Sequence, residues 1–287
     1  MLVNPSSSSL VRQAEATPVQ DLPERIPPLP DDGPRSEEGP HAPGQGIAQL
    51  AWQEGYAAYK KGDWPEATRL FETIIMRYPE SATASSAQAF LAEMLLRKNG
   101  SGPNRQEAIH AYKKLLRDHP QSSNARRAQW RIADLYLEQG WLQEAQATYE
   151  QALAHSQQFP FDGNRALLGL GYTYLVMRRW SDAEHAFANV RKRSDHDPVL
   201  RLGNMGLAHA LFRQQRLAEA HTIYEFGYRR WPETFRLEPS AVRRYAVTLA
   251  ALHRDTAARD LMLQFYNLYP RHADAPAALL YVADSTA

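Results

Sequence analysis

Hydrophobic positions from Ile47 onward recur at the spacing of an amphipathic helix, and strand-like alternation does not extend over any useful length. Alanine, leucine and aromatic residues carry this periodicity, whereas prolines and several glycines mark the boundaries between helical blocks. The pattern therefore predicts an all-helical body over residues 47–287.

The helical blocks form an internal repeat of mostly 37–38 residues. One alanine recurs as Ala67, Ala108, Ala145, Ala183, Ala220 and Ala258, and a bulky residue follows each by four positions, at Phe71, Tyr112, Tyr149, Phe187, Tyr224 and Met262. A second small residue recurs upstream, at Gly55, Ala92, Ala133, Gly171, Ala208, Ala246 and Ala283. One longer step, of 41 residues, is explained by an extra loop from Asn99 to Asn104.

This repeat predicts a stack of helical hairpins. Small residues let two helices approach to the usual packing distance of about 8–10 Å, and the bulky residue fills the space toward the next hairpin. A proline follows each recurring alanine by 12 or 15 residues, and we expect it to end the second helix of the hairpin. Asp63 to Glu66 and Ser181 to Glu184 both fit a capping box at the start of a second helix.

The pattern of small residue, alanine, aromatic and proline resembles the tetratricopeptide repeat (TPR). Glu54–Pro79 and Ala133–Leu153 carry the resemblance most clearly. It extends over residues 47–287 as six full repeats and the first helix of a seventh. The resemblance implies an α-solenoid of TPR hairpins that winds into a right-handed superhelix, and a non-catalytic scaffold for protein–protein interaction.

The repeats are longer than the common TPR unit of about 34 residues. This longer style resembles bacterial envelope TPR proteins, such as the Tol-Pal-associated periplasmic protein and the TPR lipoprotein of the barrel assembly machine. The resemblance implies a periplasmic or envelope-associated protein. A cytoplasmic TPR regulator or assembly factor is the alternative, and a nucleic-acid-binding solenoid is the second alternative.

In TPR proteins the first helices of successive repeats line a concave groove, and the resemblance carries these positions onto this chain. The aromatic and charged residues there are typical of protein interfaces. They predict a groove that binds a peptide or protein segment. The expected lining is Trp52, Tyr56, Tyr59, Lys60, Glu93, Arg97, Arg127, Trp130, Asp134, Arg165, Tyr172, His209, Phe212, Arg213 and Arg243, with Met205 beside them.

Residues 1–46 have a different composition, with nine of the 19 prolines and no aromatic residue. Seven acids and three bases give this segment a charge of −4, and the body carries +5. Such a segment buries too little apolar area to offset the entropy of ordering it. We therefore predict a disordered, acidic, proline-rich leader or linker, and Leu22 to Pro30 favours extended polyproline conformations.

The sequence offers no enzymatic chemistry, so we expect no enzyme, no cofactor and no metal. The chain has no cysteine, and none of its ten histidines forms the i, i+4 pair of a helical zinc site. Gly169-Leu170-Gly171 lies inside a predicted helix and is a packing position, not a phosphate loop. His196, beside two aspartates, is better explained by a turn before a helix than by a metal ion.

Basic doublets such as Arg126-Arg127 and Arg243-Arg244 partly follow the repeat, and a stripe of them could hold single-stranded nucleic acid. Arginines near helix ends are the simpler explanation, because cations favour helix C-termini and the net charge of the helical body is only +5.

The last predicted helix contains Leu279, Leu280 and Val282, which the sixth hairpin cannot all cover. A fragment of a longer array, a capping helix and a surface for self-association are the three explanations of this apolar patch.

Overall fold

The computed structural model describes residues 45–97 and 104–285, and its helices fall into two compact units that divide after Ala166. The N-terminal unit is defined as the described residues up to 166, and the C-terminal unit as residues 167–285. The proposed leader, residues 1–46, lies outside the described residues apart from its last two, and most of the proposed Asn99–Asn104 loop also lies outside them.

The N-terminal unit consists of three helical hairpins and the beginning of a fourth. Its helices are α1 (Gln45–Lys61), α2 (Trp64–Arg77), α3 (Ala82–Arg97), α4 (Arg105–Asp118), α5 (Ser123–Glu138), α6 (Leu142–His155) and the first residues of α7 (Pro160–Val176). The odd-numbered helices are the first helices of their hairpins, and each packs against the second helix that follows it.

The C-terminal unit continues the series with one added short helix. It contains the rest of α7, then α8 (Trp180–Arg193), α9 (Asp197–Arg213), α10 (Leu217–Arg230), α11 (Pro232–Leu237), α12 (Pro239–Ala251), α13 (Asp255–Leu268) and α14 (Ala275–Asp284). The short α11 lies between the fifth hairpin and α12. The described residues contain no β-strand, and the predicted all-α fold of helical hairpins is confirmed.

The recurring residues form the core of every hairpin, as the repeat predicts. All six alanines of the second helices are 0% exposed, and the bulky residues four positions later are also buried. The two glycines among the recurring small residues of the first helices face these bulky side chains. A Cβ added at Gly55 would lie 2.9 Å from Phe71 Cε1, and one added at Gly171 would lie 2.7 Å from Phe187 Cε1. Gly171 is therefore a close-packing position, as predicted.

Each hairpin turn in the described residues contains one residue with a left-handed backbone conformation (positive φ). This residue lies seven positions after the recurring small residue of the first helix. In the N-terminal unit these are Gly62 (φ 80°) and Gly140 (φ 76°). In the C-terminal unit Arg178, Gln215 and His253 occupy the same position with φ of 56–61°. The amide at this position and the next one donate back to carbonyls of the first helix, which closes the turn.

Neither predicted capping box forms in full. The first has only its N-cap bond, because the Glu66 carboxylate pairs with Arg69 and the Asp63 amide donates to the Ala58 carbonyl. The Asp63 side chain accepts a hydrogen bond from the Glu66 amide (3.3 Å) at the start of α2. The prediction at Ser181 is wrong, because α8 begins at Trp180 with Arg179 in the N-cap position, two residues before the predicted N-cap. Arg179 instead pairs through its Nε with Asp182 Oδ2 (2.7 Å).

The recurring prolines do not all end second helices. Pro79, Pro120 and Pro270 follow helices that stop two residues earlier, as expected. Pro160 and Pro198 instead lie in the first turns of α7 and α9, where proline needs no amide partner. Pro232 likewise opens the short α11.

Candidate partner-binding surface

One face of α1 carries three aromatic rings in nearly parallel planes. Trp52 and Tyr56 have ring centroids 6.0 Å apart at 11°, and Tyr56 and Tyr59 have centroids 6.3 Å apart at 10°. Phe90 of α3 packs edge-on against all three rings, at 4.9–5.5 Å. We call Trp52, Tyr56, Tyr59 and Phe90 the aromatic ladder. It spans the first helices of the first two hairpins.

The ladder is only partly covered. Trp52 and Phe90 are buried, whereas Tyr56 and Tyr59 are half-buried, so part of each tyrosine faces solvent. Lys60 is exposed, and its Nζ lies 4.8 Å from the centroid of the Tyr56 ring. This cation–π contact places a positive charge at the edge of the aromatic surface.

An ionic cluster links α3, α4 and α5 beside the ladder. The Arg131 guanidinium donates to both carboxylate oxygens of Glu93, at 2.8 and 2.9 Å. The Tyr112 hydroxyl donates to Glu93 Oε1 (2.7 Å). Burial raises the pKa of Tyr112 well above its usual value, and the Glu93 charge adds to this effect, so the hydroxyl remains a donor.

A second ionic cluster lies deeper and joins α5, α6 and α7. Arg165 Nη2 donates to Asp134 Oδ2 (2.6 Å), and the Tyr149 hydroxyl donates to Asp134 Oδ1. Arg131 Nη1, 3.5 Å from Asp134 Oδ2, connects the two clusters. The Arg165 guanidinium also lies 4.7 Å from the centroid of the Trp130 ring. Arg165 is 1% exposed, so its charge depends on Asp134 for compensation.

The remaining predicted lining residues of this unit differ in accessibility. Arg127 is half-buried and lies near Asp162, which also accepts from Trp130 Nε1 (3.3 Å). The side chain of Arg97 lies outside the described residues. Among all the lining residues predicted in this unit, Tyr56, Tyr59, Lys60, Glu93 and Arg127 retain accessible surface. The expectation of an open lining is wrong for four others, which are buried: Trp52, Trp130, Asp134 and Arg165.

The predicted lining residues of the C-terminal unit are mostly inside the protein. Tyr172 and Phe212 are each 3% exposed, and Met205 is also buried. Arg243 is buried as well and pairs with Asp274 Oδ2 (3.1 Å). These side chains differ from the expected open lining, because small residues let the helices of this unit close tightly around them. A Cβ added at Gly206 of α9 would lie 2.4 Å from Phe187 Cε1.

His209 is also buried, whereas Arg213 is half-buried. Arg244 Nη1 lies 3.0 Å from His209 Nδ1, and because arginine can only donate, this ring nitrogen is the acceptor. Burial lowers the pKa of His209 well below its usual value, and the charges of Arg244 and Arg213 lower it further. Arg213 stacks on Trp180, with 4.7 Å from its guanidinium carbon to the ring centroid.

Sequence reasoning missed the residues that organise these clusters. Arg131 of α5 pairs with Glu93, and Arg244 of α12 pairs with His209, from a neighbouring first helix in each case. The opposite charges of Arg131 and Glu93 on consecutive first helices are the one sequence feature that could have predicted this pair. No sequence signal identified Phe90 as the edge-on partner of the aromatic rings.

Each of the four arginine doublets contains at least one arginine that pairs with a carboxylate. Arg229 Nη2 lies 2.6 Å from Glu225 Oε1, and Arg230 Nη2 lies 3.0 Å from Asp197 Oδ1. Within residues 45–97 and 104–285, no cluster of three or more histidine, aspartate or glutamate residues could hold a metal ion. No helix in that part of the chain combines the length and the apolar character needed to cross a membrane.

Family models place TPR units along this architecture. One model described as tetratricopeptide repeat matches residues 104–163 and 168–225, and a second with the same description matches residues 50–81. Together the matched ranges cover just over half of the chain. A search of curated proteins found no match.

Solved TPR structures share the fold at low sequence identity. PilF of Pseudomonas aeruginosa is 18% identical, with a TM-score of 0.64 over 85% of this chain and 98% of that one. A tetratricopeptide repeat protein of Parabacteroides merdae is 16% identical, with a TM-score of 0.57 over 83% of this chain and 92% of that one. YrrB, described as a TPR protein with an unusual peptide-binding site, is 17% identical. Its TM-score is 0.51 over 73% of this chain and 96% of that one.

Proposed function

Because the chain belongs to the tetratricopeptide repeat family, we propose that it is a non-catalytic scaffold that binds a peptide segment of a partner protein on the first helices of its N-terminal unit. Protein–protein interaction is the general role that the fold indicates. The peptide-binding surface is the specific part of the proposal.

The observation that carries the proposal is the half-buried aromatic ladder on α1 and α3. Aromatic side chains with a cation beside them are typical of the residues that dominate binding energy at protein interfaces. Tyr56 and Tyr59 are held by ring contacts to Phe90, so they are already ordered before a partner arrives. A pre-ordered surface binds at a lower entropic cost than a flexible one.

A peptide-library selection on the full chain tests this proposal. We expect phage-displayed peptides to be enriched on the wild-type chain, and synthetic copies to bind in fluorescence anisotropy. Tyr56→Leu combined with Tyr59→Leu should weaken binding at least about tenfold. Tyr266→Leu is the matched control, because Tyr266 is a half-buried tyrosine on the second helix α13. Selected peptides that bind both variants equally well would exclude the ladder as the binding surface.

The cellular location belongs to the proposal as well. The repeats of mostly 37–38 residues and the proline-rich segment before them support a role in a bacterial cell-envelope assembly, in the periplasm or at the envelope. Fractionation of cells that express the complete gene from its own start tests this. Recovery in the periplasmic or envelope fraction is expected. Recovery in the cytoplasm would favour the alternative of a cytoplasmic regulator or assembly factor.

Self-association through the last described helix stays a prediction. Leu279 and Leu280 of α14 are 43% and 62% exposed, so an apolar face is present there. Sedimentation at increasing protein concentration, compared between the wild-type chain and Leu279→Ser with Leu280→Ser, tests it. A dimer that the substitutions abolish supports self-association, and a monomer at all concentrations rules it out.

A further inference from the structure

The first and last helices that the structure describes, α1 and α14, each expose an apolar face. Ile47 and Leu50 of α1 are 59% and 61% exposed, and Leu279 and Leu280 of α14 are exposed as well. A solenoid face that remains in water is normally polar, so exposed apolar faces indicate that a partner covers them. The position of each face within the repeat shows which kind of neighbour it meets.

Ile47 and Leu50 lie on the face that a first helix turns toward the hairpin before it. Leu50 is five residues before the recurring small residue, and a Cβ added at the equivalent Gly203 would lie 2.7 Å from Val190 Cγ1 of the preceding α8. The other six first helices have only buried alanine or glycine at this position: Ala87, Ala128, Ala166, Gly203, Ala241 and Ala278. A large, exposed leucine is therefore specific to α1.

Leu279 and Leu280 lie on a different face, which a first helix turns toward the helix after it. Leu280 is three residues before its recurring small residue, as Met205 is in α9. A Cβ added at Gly227 of the following α10 would lie 2.4 Å from Met205 Cε. The residues of α7 and α12 that are equivalent to the two leucines are buried: Leu167, Leu168, Val242 and Arg243.

The two exposed faces are complementary in their position within the repeat. First helices such as α3, α5 and α9 pack between the second helix before them and the second helix after them. The exposed face of α1 is the side that meets a preceding helix, and the exposed face of α14 is the side that meets a following one. Two α14 faces would join like sides, whereas α14 with α1 joins unlike sides. Such a contact is heterologous, and every copy of the chain carries both halves of it.

We propose that the α14 face, formed by Leu279 and Leu280, binds the α1 face, formed by Ile47 and Leu50, of a second copy of this chain. Two helix faces bury less than the roughly 1,200–2,000 Å² of a stable complex, so we expect weak association with a dissociation constant of about 100 μM. This inference goes beyond the peptide-binding surface and names the opposing face for the predicted self-association of α14.

Sedimentation velocity of the full chain between about 10 μM and about 1 mM tests the proposal. The wild-type chain should form dimers or larger assemblies as its concentration rises. Ile47→Ser with Leu50→Ser removes the α1 face, and Leu279→Ser with Leu280→Ser removes the α14 face. Each of these variants alone should remain a monomer. An equal mixture of the two should form a dimer, because each variant supplies the face that the other lacks.

A matched control replaces exposed apolar side chains elsewhere. Met76→Ser with Leu237→Ser changes two such residues, on α2 and α11, and should leave the dissociation constant within about twofold of the wild-type value. Circular dichroism melting of every variant checks that the helices remain folded. We expect them to be folded, because all the replaced side chains are exposed.

The contrary outcomes are distinct. A wild-type chain that is monomeric at all concentrations overturns the proposal, and so does a mixture that stays monomeric. A dimer of either variant alone also overturns it, because the contact would then join like faces. Tyr56→Leu with Tyr59→Leu should not weaken association, so a failure of peptide binding leaves this inference intact, and a failure of association leaves the proposed function intact.

Discussion

The two units differ in the residue that follows the recurring small residue of each first helix. In the N-terminal unit this residue is Tyr56, Glu93 or Asp134. In the C-terminal unit it is Tyr172, His209 or Val247. Tyr56 and Glu93 are half-buried and Asp134 is buried among ionic partners, but all three residues of the C-terminal unit are packed inside.

Three positions further along, the same contrast recurs. Tyr59 of the N-terminal unit is half-buried, whereas Leu175, Phe212 and Ala250 of the C-terminal unit are at most 4% exposed. Equivalent repeat positions therefore do not have equivalent accessibility. The first helices of the N-terminal unit retain partly accessible aromatic and charged side chains, and those of the C-terminal unit contribute mainly to the core.

The largest expected effect follows from Phe187 in the C-terminal unit. Both Gly171 and Gly206 pack against its ring, so two first helices depend on this side chain. Phe187→Ala should lower the free energy of unfolding by about 4 kcal/mol, since truncation of a buried phenylalanine typically costs about 3–5 kcal/mol. Urea unfolding followed by circular dichroism measures this. The exposed Phe226 is the control, and Phe226→Ala should cost less than about 1 kcal/mol. Similar losses for the two variants would contradict the packing account.

A slightly smaller effect is expected at Asp134 in the N-terminal unit. Asp134→Ala leaves the Arg165 guanidinium buried without its carboxylate, which should cost about 3 kcal/mol. Replacing both residues, as Asp134→Leu with Arg165→Met, should recover much of this loss, because a well-packed apolar pair needs no charge compensation. Urea unfolding of the single and double variants gives the coupling free energy between Asp134 and Arg165. Additive losses would show that the two groups do not compensate each other.

The pH dependence of stability distinguishes the C-terminal unit at His209. Its pKa is depressed in the folded protein, so below the usual value of 6.5 the unfolded chain takes up a proton that the folded chain does not. The contribution of His209 to the free energy of unfolding should therefore be fully present above pH 6.5. It should fall as the pH decreases below that value, by up to about 1.4 kcal/mol per pH unit.

His209→Gln keeps an acceptor for Arg244 and removes the titration, so its stability should depend less steeply on pH between 6.5 and acidic conditions. His221, whose pKa is also lowered by burial, titrates in both proteins and does not affect the difference. Thermal melts across this range measure the slopes, and identical slopes would refute the assignment to His209.

The smallest effects are expected at the hairpin turns. In the C-terminal unit, Arg178 and His253 adopt the left-handed conformation that Gly140 adopts in the N-terminal unit. Left-handed geometry costs a residue with a side chain about 1 kcal/mol. Arg178→Gly should therefore be neutral or stabilising by up to about 1 kcal/mol, and Gly140→Ala should destabilise by a similar amount. Thermal denaturation distinguishes these signs, and a destabilising Arg178→Gly would show that the turn is not strained.

The repeat register could be predicted from sequence because it depends on side-chain volume. A small residue opposite a ring, as at Gly55 and Phe71, leaves a periodic signature that tertiary context does not alter. Helix starts were less predictable. Ser181 and Asp63 looked equally good as caps, but Arg179 and its carboxylate partner allow α8 to begin earlier.

Accessibility at the candidate site could not be predicted, because it depends on how closely neighbouring hairpins pack. Phe212 and Tyr59 occupy equivalent positions and have similar chemistry. Only the structure shows that Phe212 is enclosed and that Tyr59 is half-buried. Ionic partners such as Arg131 and Glu93 come from different hairpins, and the sequence does not state which pairs meet.

Amide hydrogen exchange of the full chain, with and without a library-selected peptide, tests the contrast between the two units most directly. Bound peptide should slow exchange in α1, α3 and α5 and leave α9 and α12 unchanged. Protection confined to α9 and α12 would contradict the assignment of the binding surface to the N-terminal unit.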